Sequence, residues 1–134
     1  GDLLESRAIA PRAGGGGKII NIASVNGLRP GTMQGIYNAT KAAMINLTQT
    51  LAMELAGDNI QVNAIAPGLI QTRFAEAIWT NDDMLQAVTA RTPQKRIGQP
   101  QEIAGMALYL ASGASSFATG QTFVVDGGIT VPLL

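Results

Sequence analysis

The chain of 134 residues contains no cysteine and no histidine. The first absence excludes a disulfide framework and any thiolate metal site. The second removes the usual general base, a Ser-His triad and imidazole zinc ligands together. Charge is also scarce. Nine basic and nine acidic side chains cancel, and charged residues make up only 13% of the chain. Nothing in that balance draws the protein to nucleic acid or to an acidic membrane surface. No apolar run reaches the ~20 residues of a membrane span, and residues 1–7 do not form a signal peptide. No nucleic-acid, membrane or metal partner is expected, and the expected location is cytoplasmic. Chemistry must then run on Tyr, Lys, Ser, Asp or Glu, or on a bound cofactor.

Apolar residues make up 46% of the sequence, enough for a compact, well-buried unit. Residues 3–12 have a short helical pattern, ended by Pro11 and the glycines 14–17. Lys18-Ile19-Ile20-Asn21-Ile22-Ala23 reads as a β-branched strand, followed by a loop with Gly27, Pro30 and Gly31. A strong helix is expected over 37–56, with Met44, Leu47, Leu51 and Leu55 at helical spacing and Gly57 beyond its end. Residues 60–66 form a second apolar strand, stopped by Pro67-Gly68. A mixed stretch over 69–96 holds loop and one or two helices. Pro100 then opens another helix, at a first-turn position where a missing N–H costs nothing. Residues 122–125 are a third strand. Apolar strands alternating with helices predict one α/β unit over 1–134, with a parallel sheet covered on both faces.

The glycines at 14–17 before Lys18 invite comparison with a phosphate loop, but the pattern fails. Position 12 is Arg where a Walker loop needs Gly, and Ile19 follows the lysine where Ser or Thr is needed. Such loops also leave a strand and open a helix, whereas this run precedes a strand. It reads as a connection.

Tyr37 and Lys41 are four residues apart at the start of the long helix. That spacing puts their Cβ atoms about 5–6 Å apart on one face. A free phenol has a pKa near ~10. A neighbouring ammonium favours the phenolate, so the tyrosine can exchange a proton with an alcohol or carbonyl oxygen near neutral pH. Ser24 stands immediately after the first apolar strand, at the carboxyl edge where parallel sheets bind ligands. Its hydroxyl could hold a substrate oxygen against the phenol.

With these residues in place, the sequence resembles the short-chain dehydrogenases/reductases along its whole length. The matching stretches are 19–24 with Gly27, 37–43, 60–68 with Thr72, 96–104, and 119–120 through 125–128. Several blocks look like the 3-oxoacyl-acyl-carrier-protein reductase branch. The resemblance implies the C-terminal half of a doubly wound, Rossmann-like sheet and an NAD- or NADP-dependent oxidoreductase acting on a small carbonyl or alcohol. It implies Tyr37 as acid/base, Lys41 as the residue that binds the nicotinamide ribose and tunes Tyr37, and Ser24 as the group that orients the substrate oxygen. Pro67, Gly68, Ile70 and Thr72 would contact the nicotinamide carboxamide and nearby phosphate. Homo-oligomers, dimers or tetramers, are also implied.

The departure is in length. Family members run to roughly twice this size, and the glycine-rich pyrophosphate turn of their N-terminal half has no counterpart here. The second reading is therefore a catalytically silent fragment acting only in assembly. In the family the strand over 18–23 is internal, so its free edge should be open and apolar, with Lys18 its one charge. Residues 73–95, with Phe74, Ile78, Trp79, Met84 and Leu85, are expected either to cover the substrate or to pack as a surface helix.

Overall fold

The computed structural model describes residues 6–9 and 16–132. Four strands form one sheet in the order β1 (Ser6–Ile9), β2 (Gly17–Ile22), β3 (Ile60–Pro67) and β4 (Thr122–Val125). β2, β3 and β4 are parallel. The helices are α1 (Gly35–Leu55), the single turn α2 (Glu76–Trp79), α3 (Asp82–Arg91) and α4 (Pro100–Ala111). Pro100 opens α4 beside a capping box between Gln99 and Glu102, so the helix starts where the sequence places it.

Alternation along the strands sends successive side chains to opposite faces. On one face Ile20, Ile22, Ile65, Phe123 and Val125 pack against Ile103, Met106, Ala107 and Leu110 of α4. On the other, Ala23 and Ala64 meet Met44 and Ile45 of α1. β3 lies at the centre and is buried over six consecutive residues, as a strand covered on both faces must be.

Three expectations change. The segment within 3–12 is not helical where it is described: Ser6–Ile9 is a strand, antiparallel to β2 from Ser6↔Asn21 to Ile9↔Lys18. Its Ala, Leu, Glu and Arg content favours a helix, but pairing with β2 outweighs that local preference. The free edge of β2 is consequently occupied and not open. Lys18 is also no edge guard. It is only 3% exposed, and its Nζ donates to Ser112 O and Ser115 Oγ, each at 2.8 Å.

Lys18 belongs to a clamp at the amino ends of the strands. Gln61 Nε2 donates to the carbonyls of Ser115 and Ala118, and Asn63 Nδ2 to Ala118 O at 2.9 Å. The loop that delivers β4 is thereby fixed at the end of the sheet away from Ser24. Such buried polar groups must be bonded to be tolerated.

The inward face of α1 also differs from the apolar spacing. Met44, Thr48 and Ala52 are its buried residues, whereas Leu47 is 40% exposed. Small or hydrogen-bonded side chains let the helix approach the sheet closely.

Candidate active site

Ser24 lies two residues beyond β2 in extended conformation and caps the turn Val25–Gly27, its Oγ accepting from Asn26 N at 3.1 Å. That turn packs directly on α1. A Cβ added to Gly27 would lie 2.8 Å from both the carbonyl carbon and oxygen of Lys41, so only glycine allows this approach. Two further hydrogen bonds fasten the loop to the helix entrance: Asn26 Nδ2 to Gln34 Oε1 and Asn38 Nδ2 to Gly31 O, both 2.8 Å.

Tyr37 lies in the first turn of α1 and Lys41 one turn later. The Lys41 Nζ donates to Ile22 O at 3.2 Å and lies 5.6 Å from the centre of the Tyr37 ring. That distance is within reach of a cation–π attraction. Ile22 is the last residue of β2, two before Ser24. One strand exit therefore fixes the lysine through a carbonyl and carries the serine hydroxyl, and Ser24, Tyr37 and Lys41 share one edge of the sheet.

Pro67 ends β3 at the same carboxyl edge. Gly68 N donates to Val125 O at 3.0 Å, and a Cβ there would meet the Asp126 backbone at 2.9 Å. Ile70 pairs with Gly98 in an isolated bridge, flanked by hydrogen bonds of 2.9 Å from Gly98 N to Leu69 O and from Gln71 N to Gly98 O. Thr72 is pinned by Trp79 Nε1, which donates to its carbonyl at 2.8 Å. The loop of Pro67, Gly68, Ile70 and Thr72 is thus a braced turn between strand ends.

Phe74 joins this loop to the helix pair. Its ring stacks on Tyr37, with centroids 6.2 Å apart and planes inclined by 27°. Sequence reasoning names Phe74 only as one of several lid residues. Nothing in spacing could pair residues 37 positions apart.

Asp126 closes the edge beyond β4. Its carboxylate accepts from Gly128 N at 2.8 Å, Thr130 N at 3.0 Å and Thr130 Oγ1 at 2.7 Å. Partial burial pushes its pKa up, but the bonds from Thr130 and Gly128 together outweigh this and leave the carboxyl below its ordinary value. Nearby, Arg96 grips Glu102 in a two-pronged pair at 2.7 and 2.9 Å. The Arg96 hydrogen bond, supported by Gln99 N, holds the Glu102 pKa down at about 2.

These groups fit the nicotinamide end of a dinucleotide. The ammonium of Lys41, held beside a phenol, suits vicinal ribose hydroxyls, and the braced turn after β3 offers backbone groups at the ligand edge. Among the described residues no glycine-rich turn leads from a strand into a helix to take a pyrophosphate.

The chain is an α/β fold with three parallel strands, and Ser24, Tyr37 and Lys41 lie at their carboxyl edge. Comparison with known proteins agrees: residues 3–130 match the family model described as "Enoyl-(Acyl carrier protein) reductase". The chain belongs to the short-chain dehydrogenase/reductase family. It is 39% identical over 127 residues to dehydrogenase/reductase SDR family member 4 of Oryctolagus cuniculus, covering 93% of this chain and 49% of that protein. It is 47% identical over 115 residues to nodulation protein G of Azospirillum brasilense, covering 86% and 46%. Among solved structures, 4-hydroxyisoleucine dehydrogenase complexed with NADH superimposes with a TM-score of 0.84 at 39% identity, covering 87% of this chain and 48% of that one. Gluconate 5-dehydrogenase of Burkholderia cenocepacia, in complex with NADP and tartrate, gives 0.85 at 40%, covering 87% and 46%. The chain thus spans about half the length of the relatives it matches, in their C-terminal part.

Proposed function

We propose that this chain carries the proton-transfer side of an NAD- or NADP-dependent oxidoreductase that interconverts a carbonyl and an alcohol. The observation that carries the reading is Lys41, tied to the end of β2 and set 5.6 Å from the Tyr37 ring. When bound, a nicotinamide supplies the hydride chemistry. Tyr37 gives its phenolic proton to the substrate oxygen as negative charge develops there, and takes it back in the reverse direction. Lys41 would hold the ribose hydroxyls. Ser24 orients the substrate oxygen. Pro67, Gly68, Ile70 and Thr72 would contact the carboxamide side. The described residues offer no strand-to-helix glycine turn for the pyrophosphate.

The test joins the chain to the N-terminal half of the gluconate 5-dehydrogenase it resembles and follows NAD(P)H oxidation with a panel of ketones. Turnover that disappears in Tyr37→Phe supports the reading, and turnover that survives in that variant overturns it. A second reading is a silent assembly module: α1 exposes scattered apolar side chains, Ile36, Leu47 and Met53, that a homo-oligomer in the cytoplasm would cover. A chimera that folds and assembles without turnover favours that module.

A further inference from the structure

Phe74 is an unusual side chain to leave in water. It is 84% exposed, on a loop held by hydrogen bonds. The loop around it is braced by the Ile70–Gly98 bridge on one side and the Trp79–Thr72 hydrogen bond on the other. Ala75 N adds a bond to Thr72 Oγ1 at 3.3 Å. The ring's described aromatic partner is Tyr37, at 6.2 Å and 27°. A near-parallel stack at that separation is a favourable aromatic geometry, but it covers only a small part of the phenylalanine. An exposed apolar ring held by a rigid loop against a reactive phenol is placed for a ligand.

We infer that Phe74 is a specificity-determining residue, selecting ketones and alcohols that carry a flat apolar substituent next to the reacting carbon. The inference rests on Tyr37 being the proton-transfer residue of the reading above. A substrate whose oxygen reaches the Tyr37 hydroxyl must place its remaining groups near the ring stacked on that tyrosine. An aromatic or planar apolar group there removes both its own surface and that of Phe74 from water. A small or strongly hydrated group gains nothing from the contact. Preference then arises as a difference in affinity between two substrates and not as an increase in rate.

Two measurements test this. The first needs no turnover and uses the chain as it is, labelled with 13C at its tyrosine rings. There are two tyrosines, so Tyr109 serves as the internal reference. Acetophenone is expected to shift the Tyr37 signals, with Phe74→Ala weakening the response about tenfold or more and Phe74→Leu partly restoring it. Acetone is expected to leave both tyrosines unmoved. The second compares acetophenone with acetone as substrates of the chimera described above. There Phe74→Ala should lower the ratio of their kcat/KM values by about tenfold or more, through KM and not kcat. Tyr37 signals that ignore acetophenone, or that respond equally in Phe74→Ala, overturn the inference. So does an equal loss on both substrates, which would make Phe74 a loop support only. A Phe74-dependent response without turnover in the chimera leaves the inference standing and removes the catalytic reading instead.

Discussion

Asn21 of β2 donates through Nδ2 to the hydroxyl of Thr48 at 2.9 Å, and that hydroxyl in turn donates to Met44 O at 2.8 Å. One buried hydroxyl therefore joins the strand that carries Ser24 to the helix that carries Tyr37 and Lys41. The Asn21 Oδ1 is already buried without a partner among the described residues. Thr48→Val would leave the amide donor unmet as well, at a cost of about 1–3 kcal/mol. Chemical denaturation checks this, and Thr48→Ser, which keeps the hydroxyl, should recover most of the loss.

Tyr37→Phe deletes a proton donor and little else. In the chimeric enzyme we expect kcat to fall by roughly 10²–10⁴ with nucleotide affinity unchanged. On the proposed reading Lys41→Ala should lower both, because it removes the ammonium beside Tyr37 that would hold the ribose. Nucleotide binding by calorimetry, beside steady-state rates, separates the two outcomes.

The Arg96–Glu102 pair has a direction in pH. Glu102 titrates at about 2 in the folded chain against an ordinary value of 4.5. The unfolded chain therefore binds the proton first as pH falls. The pair's contribution is complete above 4.5 and is lost progressively as pH falls toward 2. Asp126, also lowered, acts in the same sense. Because Arg96 and Glu102 are both exposed, the contribution is small. Denaturation midpoints between these pH values should fall less steeply in Glu102→Gln than in the parent, without becoming flat.

Removal of residues 1–9 takes away β1 and exposes the backbone of β2. A bare apolar strand edge recruits other chains. Sedimentation should show stronger self-association in the shortened chain than in the parent at tens of micromolar, within the ~µM–mM range where such edges associate.

The legible parts of the sequence are those whose signals are local. β3 is a mostly apolar run closed by Pro-Gly, and α4 begins at a proline with a glutamate three residues after its cap. Tyr37 and Lys41 meet because helical spacing alone brings them together. The unreadable parts depend on distant partners. Ser6–Ile9 becomes a strand only because β2 lies beside it. Lys18 looks like a surface charge until Ser112 and Ser115, more than ninety residues on, accept its hydrogen bonds. Thr48 looks like the polar side of α1 and is its buried face, since its value lies in a bond to Asn21.

Gly27 has a consequence for how this chemistry can drift. The turn after Ser24 rests against the Lys41 carbonyl with no room for even a methyl group, so the separation between the serine hydroxyl and the phenol is gauged by a missing carbon. Gly27→Ala would wedge the first turns of α1 outward while the Asn21–Thr48 bond holds the helix further along. The helix would pivot about that bond and carry Tyr37 through an arc. Reach at a near-attack distance decays steeply with such displacement. A single added methyl at this position would therefore shift Tyr37 relative to Ser24 in a protein that still folds.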